Sequence, residues 1–345
     1  MLPTQIKKQK VTPAVCPGIA NPSRALRQPF TRTPKFRSWA AWIFQMCQRF
    51  GVSVTPTHFY WPIPDLRALS QKDWTACSLS EGVKLQLERQ VQMLDADLLA
   101  FRVECNFPEG ATDCDYQFHF NNGFFEHVDA EIAYAMVRHF QPSRIVEIGS
   151  GNSTRLLAAA MCRNREQGAP GELISIDPHA DRVVIRGFPG LTRLISRPLQ
   201  HVPMDVFTKL GPGDILFIDS SHVVMIDSDV VHECLRVLPK LKPGVVIHFH
   251  DIFIPFDYPQ KFVMTNLCFW GEQYLLEAFL SYNRAFEVLW ASSAMQLFHR
   301  DQLEKYLPSW NDSFLRMPDA MRVFTPTLDG KNVWPCSFWV QKVAD

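Results

Sequence analysis

From residue 128 onward, short continuous apolar runs alternate with segments whose apolar positions recur at helical spacing. Val128–Phe140 has the helical period, Ile145–Ile148 is a short apolar strand, and a helix follows near Ser153 with Leu156, Leu157, Ala160 and Met161 on one side. Leu173–Ile176, Thr192–Ser196, Asp214–Ile218 and Val245–His250 read as further strands, with helices over Val202–Leu210 and Ser228–Leu238 between them. Lys242-Pro243-Gly244 marks a turn before Val245. Gly271–Tyr282 is a last helix, and Phe286–Trp290 and Ser337–Val343 are closing strands. Strands that are apolar throughout, rather than alternating, are buried on both faces. The pattern therefore predicts an α/β, doubly wound, mainly parallel sheet of Rossmann-like type.

The chain before residue 128 is different. Residues 1–64 hold nine Lys or Arg and no Asp or Glu, and residues 1–38 are rich in Pro and Thr without periodicity. They are expected to form a basic, largely disordered arm. Residues 39–126 are expected to be a helical or irregular extension, with a helix near Glu81–Leu99, and residues 127–345 the sheet domain. Trp39–Phe50 is apolar but too short to cross a bilayer, and Gln45, Gln48 and Arg49 interrupt it. A formal net charge of zero gives no reason to expect nucleic acid as a partner. The nine cysteines are scattered, with no CxxC pair. That argues for reduced thiols and a cytoplasmic setting.

In a doubly wound sheet, ligands sit beyond the carboxyl ends of the strands. That rule selects Glu147 and Gly149 after the first strand, Asp177 after the second, Asp219 after the fourth, and His250 and Asp251 after the fifth. Gly149-Ser150-Gly151 lets backbone approach a ligand. A dinucleotide fingerprint calls for glycine where Thr154 stands, and the Glu147 carboxylate would repel a pyrophosphate. The same carboxylate suits the cationic methionine end of S-adenosylmethionine. Ser150 belongs to the turn, Ser153 caps the next helix or holds the cofactor carboxylate, and Asp177 is placed to accept ribose hydroxyls. An NAD(P)-dependent oxidoreductase is the rival on the same fold.

The stretch from about Asn121 to Leu289 resembles the class I S-adenosylmethionine-dependent methyltransferases, most closely a bacterial-type subgroup. The resemblance is carried by Val146-Glu147-Ile148-Gly149-Ser150-Gly151-Asn152-Ser153-Thr154, Ile176-Asp177-Pro178 and Leu216-Phe217-Ile218-Asp219-Ser220-Ser221-His222. His248-Phe249-His250-Asp251-Ile252-Phe253 and Trp270-Gly271-Glu272-Gln273-Tyr274 complete it. It implies a seven-stranded methyltransferase sheet and S-adenosylmethionine as cofactor, and it names no acceptor.

Asp219, His222, His250 and Asp251 also fall where catechol-type O-methyltransferases place a metal-binding acid, a base, and an acid with its neighbour. Three roles are open for them. His222 is a general base for an acceptor hydroxyl, since imidazole titrates near neutrality. Alternatively Asp219, His250 and Asp251 hold a divalent metal ion, for which imidazole favours an ion softer than Mg²⁺. Or His250 and Asp251 only shape the pocket. The expected reaction is methyl transfer to a hydroxyl of a small molecule or glycan, with Asp219 and His222 at the acceptor. The non-enzymatic rival is a methyltransferase-like protein that binds without turnover. His248 is expected in the core, His179 in solvent or near adenosine, and His119 and His127 in a lid or in the core. Phe256, Asp257 and Tyr258 are expected to meet the acceptor.

Overall fold

The fold is a sheet of seven strands in the order β3-β2-β1-β4-β5-β7-β6. The computed structural model describes residues 34–307 and 335–344, apart from positions 56, 58, 59, 75 and 78. The basic arm therefore lies outside the described residues as far as position 33. A helix, Pro34–Gln48, covers its end and most of the apolar segment after it. The chain divides into two compact units, Met1–Asp65 and Leu66–Asp345; the sheet belongs to the second.

The strands are β1 (Arg144–Ile148), β2 (Glu172–Ile176), β3 (Arg193–Ile195), β4 (Ile215–Ile218), β5 (Val246–Phe249), β6 (Phe286–Ala291) and β7 (Phe338–Lys342). β1 to β5 run parallel, and β7 lies antiparallel between β5 and β6. β1 is central: Ile148 is in register with Ile176 of β2 on one side and Ile218 of β4 on the other. The connections reverse direction there, so the crevice opens where β1 and β4 end.

Alternate residues of each strand enter opposite layers. Ile145, Leu173 and Phe217 join one core with Leu94, Leu98 and the helices Asp129–Phe140 and Asn152–Glu166. Val146, Leu216, Ile218 and Ile247 join the other core with Val237 and Leu276. Each fully buried aliphatic side chain there contributes roughly 1.5–3 kcal/mol, and this layering holds the strand ends in place.

The helices differ more from expectation than the strands do. The helix expected from Glu81 begins at Leu87, after Gln86 turns left-handed at φ 54°, and continues as a π-turn, Leu94–Leu98, and a 3₁₀ segment, Leu99–Glu104. The helix expected over Ser228–Leu238 is α only at Asp229–His232. It widens to a π-turn at Glu233–Val237 and tightens at Leu238–Lys240, where Pro239 cannot continue an α-ladder. The helix expected over Val202–Leu210 is α only at Asp205–Thr208.

Candidate functional site

The turn after β1 is tied to both neighbouring strands. Gly149 N–H donates to Ile176 O and Asp219 N–H to Ile148 O, each at 2.9 Å. Gly149 has φ +92°, and a Cβ there would lie 2.0 Å from the Asp219 carbonyl oxygen. Only glycine satisfies both conditions. Thr154, standing where a dinucleotide fingerprint calls for glycine, closes the turn instead: its Oγ1 accepts the Gly151 N–H at 2.9 Å.

Behind the turn, Glu147 is fully buried and accepts the Ser153 hydroxyl at 2.8 Å. Its Oε2 has no hydrogen-bond partner among the described residues. Burial pushes the carboxyl up to about 7, against the pull of the Thr154, Ser153 and Ser175 hydroxyls. In front of the turn, a cleft of about 490 Å³ is lined by Gly149, Ser150, Asp177, His179, Asp219 and Ser228, among others. Asp177 accepts the Ser150 hydroxyl on Oδ2 at 2.5 Å and the His179 N–H on Oδ1 at 2.6 Å. Each carboxylate oxygen keeps a lone pair. Gly149, Ser150 and Asp177 thus face the cleft, whereas Glu147, Gly151 and Ser153 are not among its lining residues and brace the turn from behind.

Asp219 lines this cleft and also begins the second cluster. Asp219 Oδ1 lies 3.5 Å from His222 Nε2 and 3.5 Å from His250 Nδ1; Asp251 Oδ2 lies 3.4 Å from His222 Nε2 and 3.9 Å from His250 Nδ1. Two carboxylates and two imidazoles therefore alternate around a small ring. On its far side, His222 Nδ1 meets Glu272 Oε2 at 2.7 Å. Burial alone would raise the Asp219 carboxyl, but the His250 and His222 rings hold it well below the usual carboxylate range. Burial would lower His222, yet Asp219, Glu272 and Asp251 raise it well above the ordinary imidazole value. His250 is raised to about 9 against its own burial, by Asp219 and Asp251.

Among the described residues a further group, Asp129, His250 and Cys336, brings ligand-type atoms within 4.8 Å of one another. The Asp129 oxygens, however, accept the Ser292 hydroxyl at 2.7 Å and the Cys336 and Ser337 N–H groups at 2.7 and 3.0 Å. That carboxylate ties β7 to the helix at Asp129. It also reaches a side of His250 that sequence spacing could not reveal.

His248 is a core residue, stacked 3.7 Å from the Phe217 ring and hydrogen-bonded to the Ser337 hydroxyl at 2.8 Å. Burial, then the neighbouring His250, pushes it well below its ordinary value, so it is neutral. His127 is also buried, stacked 4.0 Å from Phe120. His179 is exposed at the cleft. The expectation that Phe256 and Tyr258 meet the acceptor is corrected. They are only 3% and 2% exposed, because Gln273 pins this segment through Phe253 N, Phe256 O and the Tyr258 hydroxyl. Two aromatic rings lie beside the cluster: Trp270, 4.6 Å from the His222 ring, and Phe125, 5.2 Å from the His250 ring. Glu272, in contact with His222, carried no role in the sequence reading, since an acid at a helix start is commonplace.

A family profile described as a methyltransferase domain matches residues 146–252. An uncharacterized protein of Archaeoglobus fulgidus is 30% identical over 169 residues, covering 46% of this chain and 75% of that one. Among solved structures, the adenosylhomocysteine-bound Podospora anserina methyltransferase PaMTH1 aligns at 15% identity over 69% of this chain and 93% of its own, with a TM-score of 0.33. The O-methyltransferase from Bacillus cereus in complex with adenosylhomocysteine aligns at 13% identity over 74% and 90%, with a TM-score of 0.28. Structural likeness this low carries no argument about activity. The domain match, however, starts on β1 and ends just past β5, and the archaeal relative is covered over three quarters of its length. The chain belongs to the class I S-adenosylmethionine-dependent methyltransferases.

Proposed function

We propose that this methyltransferase moves the methyl group of S-adenosylmethionine to a hydroxyl of a small molecule or glycan. The observation that carries the reading is the position of Asp219, which lines the cleft on one side and faces the His222 and His250 rings on the other. Donor and acceptor chemistry then meet at one residue. Gly149, Ser150 and Asp177 would hold the donor, with Asp177 accepting from the ribose. Glu147, Gly151 and Ser153 would shape the turn, and ionised Glu147 would favour the donor's positive charge. The donor is already electrophilic at its methyl. The protein's work is therefore in-line alignment and removal of the acceptor proton.

His222 would take that proton on Nε2 in its neutral form. Asp219 and Asp251 flank the same atom and would stabilise the imidazolium that results. A divalent ion is a second reading, favoured by the ring of two carboxylates and two imidazoles. Asp219, His250 and Asp251 would hold it, and the mixed donor set suits a borderline transition ion better than Mg²⁺. Such an ion would lower the acceptor pKa and replace the ring protons as the positive charge between the carboxylates.

Incubation with S-adenosylmethionine and a panel of hydroxyl-bearing acceptors tests the proposal, with adenosylhomocysteine and the methylated oxygen as readouts. Transfer to nitrogen or carbon only, from an acceptor that also offers a hydroxyl, would overturn it. A thermal shift with S-adenosylmethionine and none with NAD is the companion result.

A further inference from the structure

His222 has φ +61°, a left-handed backbone that is costly for a residue with a Cβ. One helix start holds it at both ends. Its carbonyl accepts the Gly271 and Glu272 N–H groups at 2.9 and 3.2 Å. Its ring Nδ1 meets the Glu272 carboxylate at 2.7 Å. Glu272 is 1% exposed, and its other oxygen has no hydrogen-bond partner among the described residues. The carboxylate therefore has one strong hydrogen-bonding assignment in the structure, and it is this ring nitrogen.

We propose that Glu272 is the positioning residue of His222: its carboxylate accepts the Nδ1–H, fixes which ring nitrogen is free, and turns Nε2 toward Asp219 and Asp251. This rests on the reading of His222 as the group that takes the acceptor proton. A ring held by one nitrogen cannot rotate or exchange tautomers, so Nε2 is the only nitrogen left for the acceptor side. The remaining neighbours fit this arrangement. Trp270 lies against the ring at 4.6 Å and limits its tilt. Behind Glu272, Glu233 sits fully buried on the π-turn, hydrogen-bonded by the Ser220 hydroxyl at 3.3 Å. Burial, with the Glu272 charge beside it, pushes Glu233 well above the usual carboxylate range. Burial raises Glu272 as well, but the His222 ring that it faces pulls it back down. The π-turn that broke the expected helix is what sets Glu233 there.

The test is nuclear magnetic resonance of the full chain with ¹⁵N-labelled histidine, His222 being assigned by its loss in His222→Ala. The expected wild-type signature is a far-downfield proton on Nδ1 of His222. In Glu272→Gln that resonance is lost or moves upfield, while the buried His248 resonances stay in place as the control for folding. Glu272→Asp, which keeps the acid but retracts it, is the second variant and gives a smaller upfield move. An Nδ1 resonance unchanged in either folded variant overturns the proposal.

The kinetic arm uses any acceptor on which the wild type releases adenosylhomocysteine. There Glu272→Gln lowers kcat about a hundredfold, the scale of a misplaced reacting group, with KM for the acceptor and Kd for the donor unchanged. In a His222→Ala background the same substitution has no further effect. A second loss in that background marks a general structural role and overturns the proposal. Full turnover in His222→Ala alone, with the Nδ1 resonance lost or moved upfield in Glu272→Gln, overturns the base reading and leaves the positioning standing.

Discussion

Gly149 packs directly under the backbone of Asp219, so closely that a Cβ on Gly149 would sit 2.0 Å from the Asp219 carbonyl oxygen. The turn beside the cleft and the strand end that begins the histidine cluster are thus one packed unit. Gly149→Ala must either push β4 away or distort the turn, on top of the cost of a left-handed alanine. Denaturant unfolding should show a loss of at least about 2 kcal/mol, together with weaker donor binding. An alanine variant as stable as the wild type would contradict the packing.

Asp177 is the strand-end acid that faces the cleft, held by Ser150 and by the His179 N–H. Removing a charged hydrogen-bond acceptor costs about 1.5–3 kcal/mol. Asp177→Ala should therefore weaken S-adenosylmethionine binding by roughly ten- to a hundredfold. Calorimetry giving equal affinity in both proteins removes Asp177 from the ribose site.

The buried Glu147 carboxyl titrates near 7 in the folded chain, above its ordinary carboxylate range. The native state therefore keeps a proton that the unfolded state has already lost. Its contribution to stability falls as pH rises from the ordinary range through 7 and is constant above that. Donor binding has the opposite sign, because a cationic ligand favours the ionised carboxylate. Affinity for S-adenosylmethionine should rise between pH 6 and pH 8, roughly the window around this value, with proton release on binding at the acid end. Titrations in buffers of different ionisation enthalpy measure that release. A pH-independent affinity without release would mean that Glu147 does not sense the donor.

The strand ends were readable in the sequence because β1, β4 and β5 are buried on both faces. Ile145–Ile148, Ile215–Ile218 and Val246–Phe249 appear as short apolar runs interrupted only by Glu147 and His248, and the end of each run marks the crevice. Asp177, Asp219, His250 and Asp251 follow from that one rule. What was not readable depends on contacts distant in sequence. Glu272 lies fifty positions beyond His222, and nothing local distinguishes it from an ordinary first-turn acid. Position after β5 alone points Phe256 and Tyr258 to the acceptor, but Gln273 folds their segment inward. The π-turns at Leu94–Leu98 and Glu233–Val237 keep a helical apolar period, so the period could not reveal them.

The metal reading has its own outcome. If Asp219, His250 and Asp251 hold an ion, purified protein should carry close to one divalent ion per chain by elemental analysis. Prolonged chelation should then abolish transfer, and a borderline ion such as Zn²⁺ or Mn²⁺ should restore it better than Mg²⁺. Metal-free protein with full activity leaves the ring to its two imidazole protons.

The most direct measurement is turnover of His222→Ala beside the wild type, on an acceptor from which the wild type makes adenosylhomocysteine, with donor affinity measured on the same samples. A general base contributes about a hundred- to ten-thousandfold. The expected result is a loss of that order in kcat with S-adenosylmethionine Kd unchanged. Equal turnover in the two proteins would contradict His222 as the group that takes the acceptor proton.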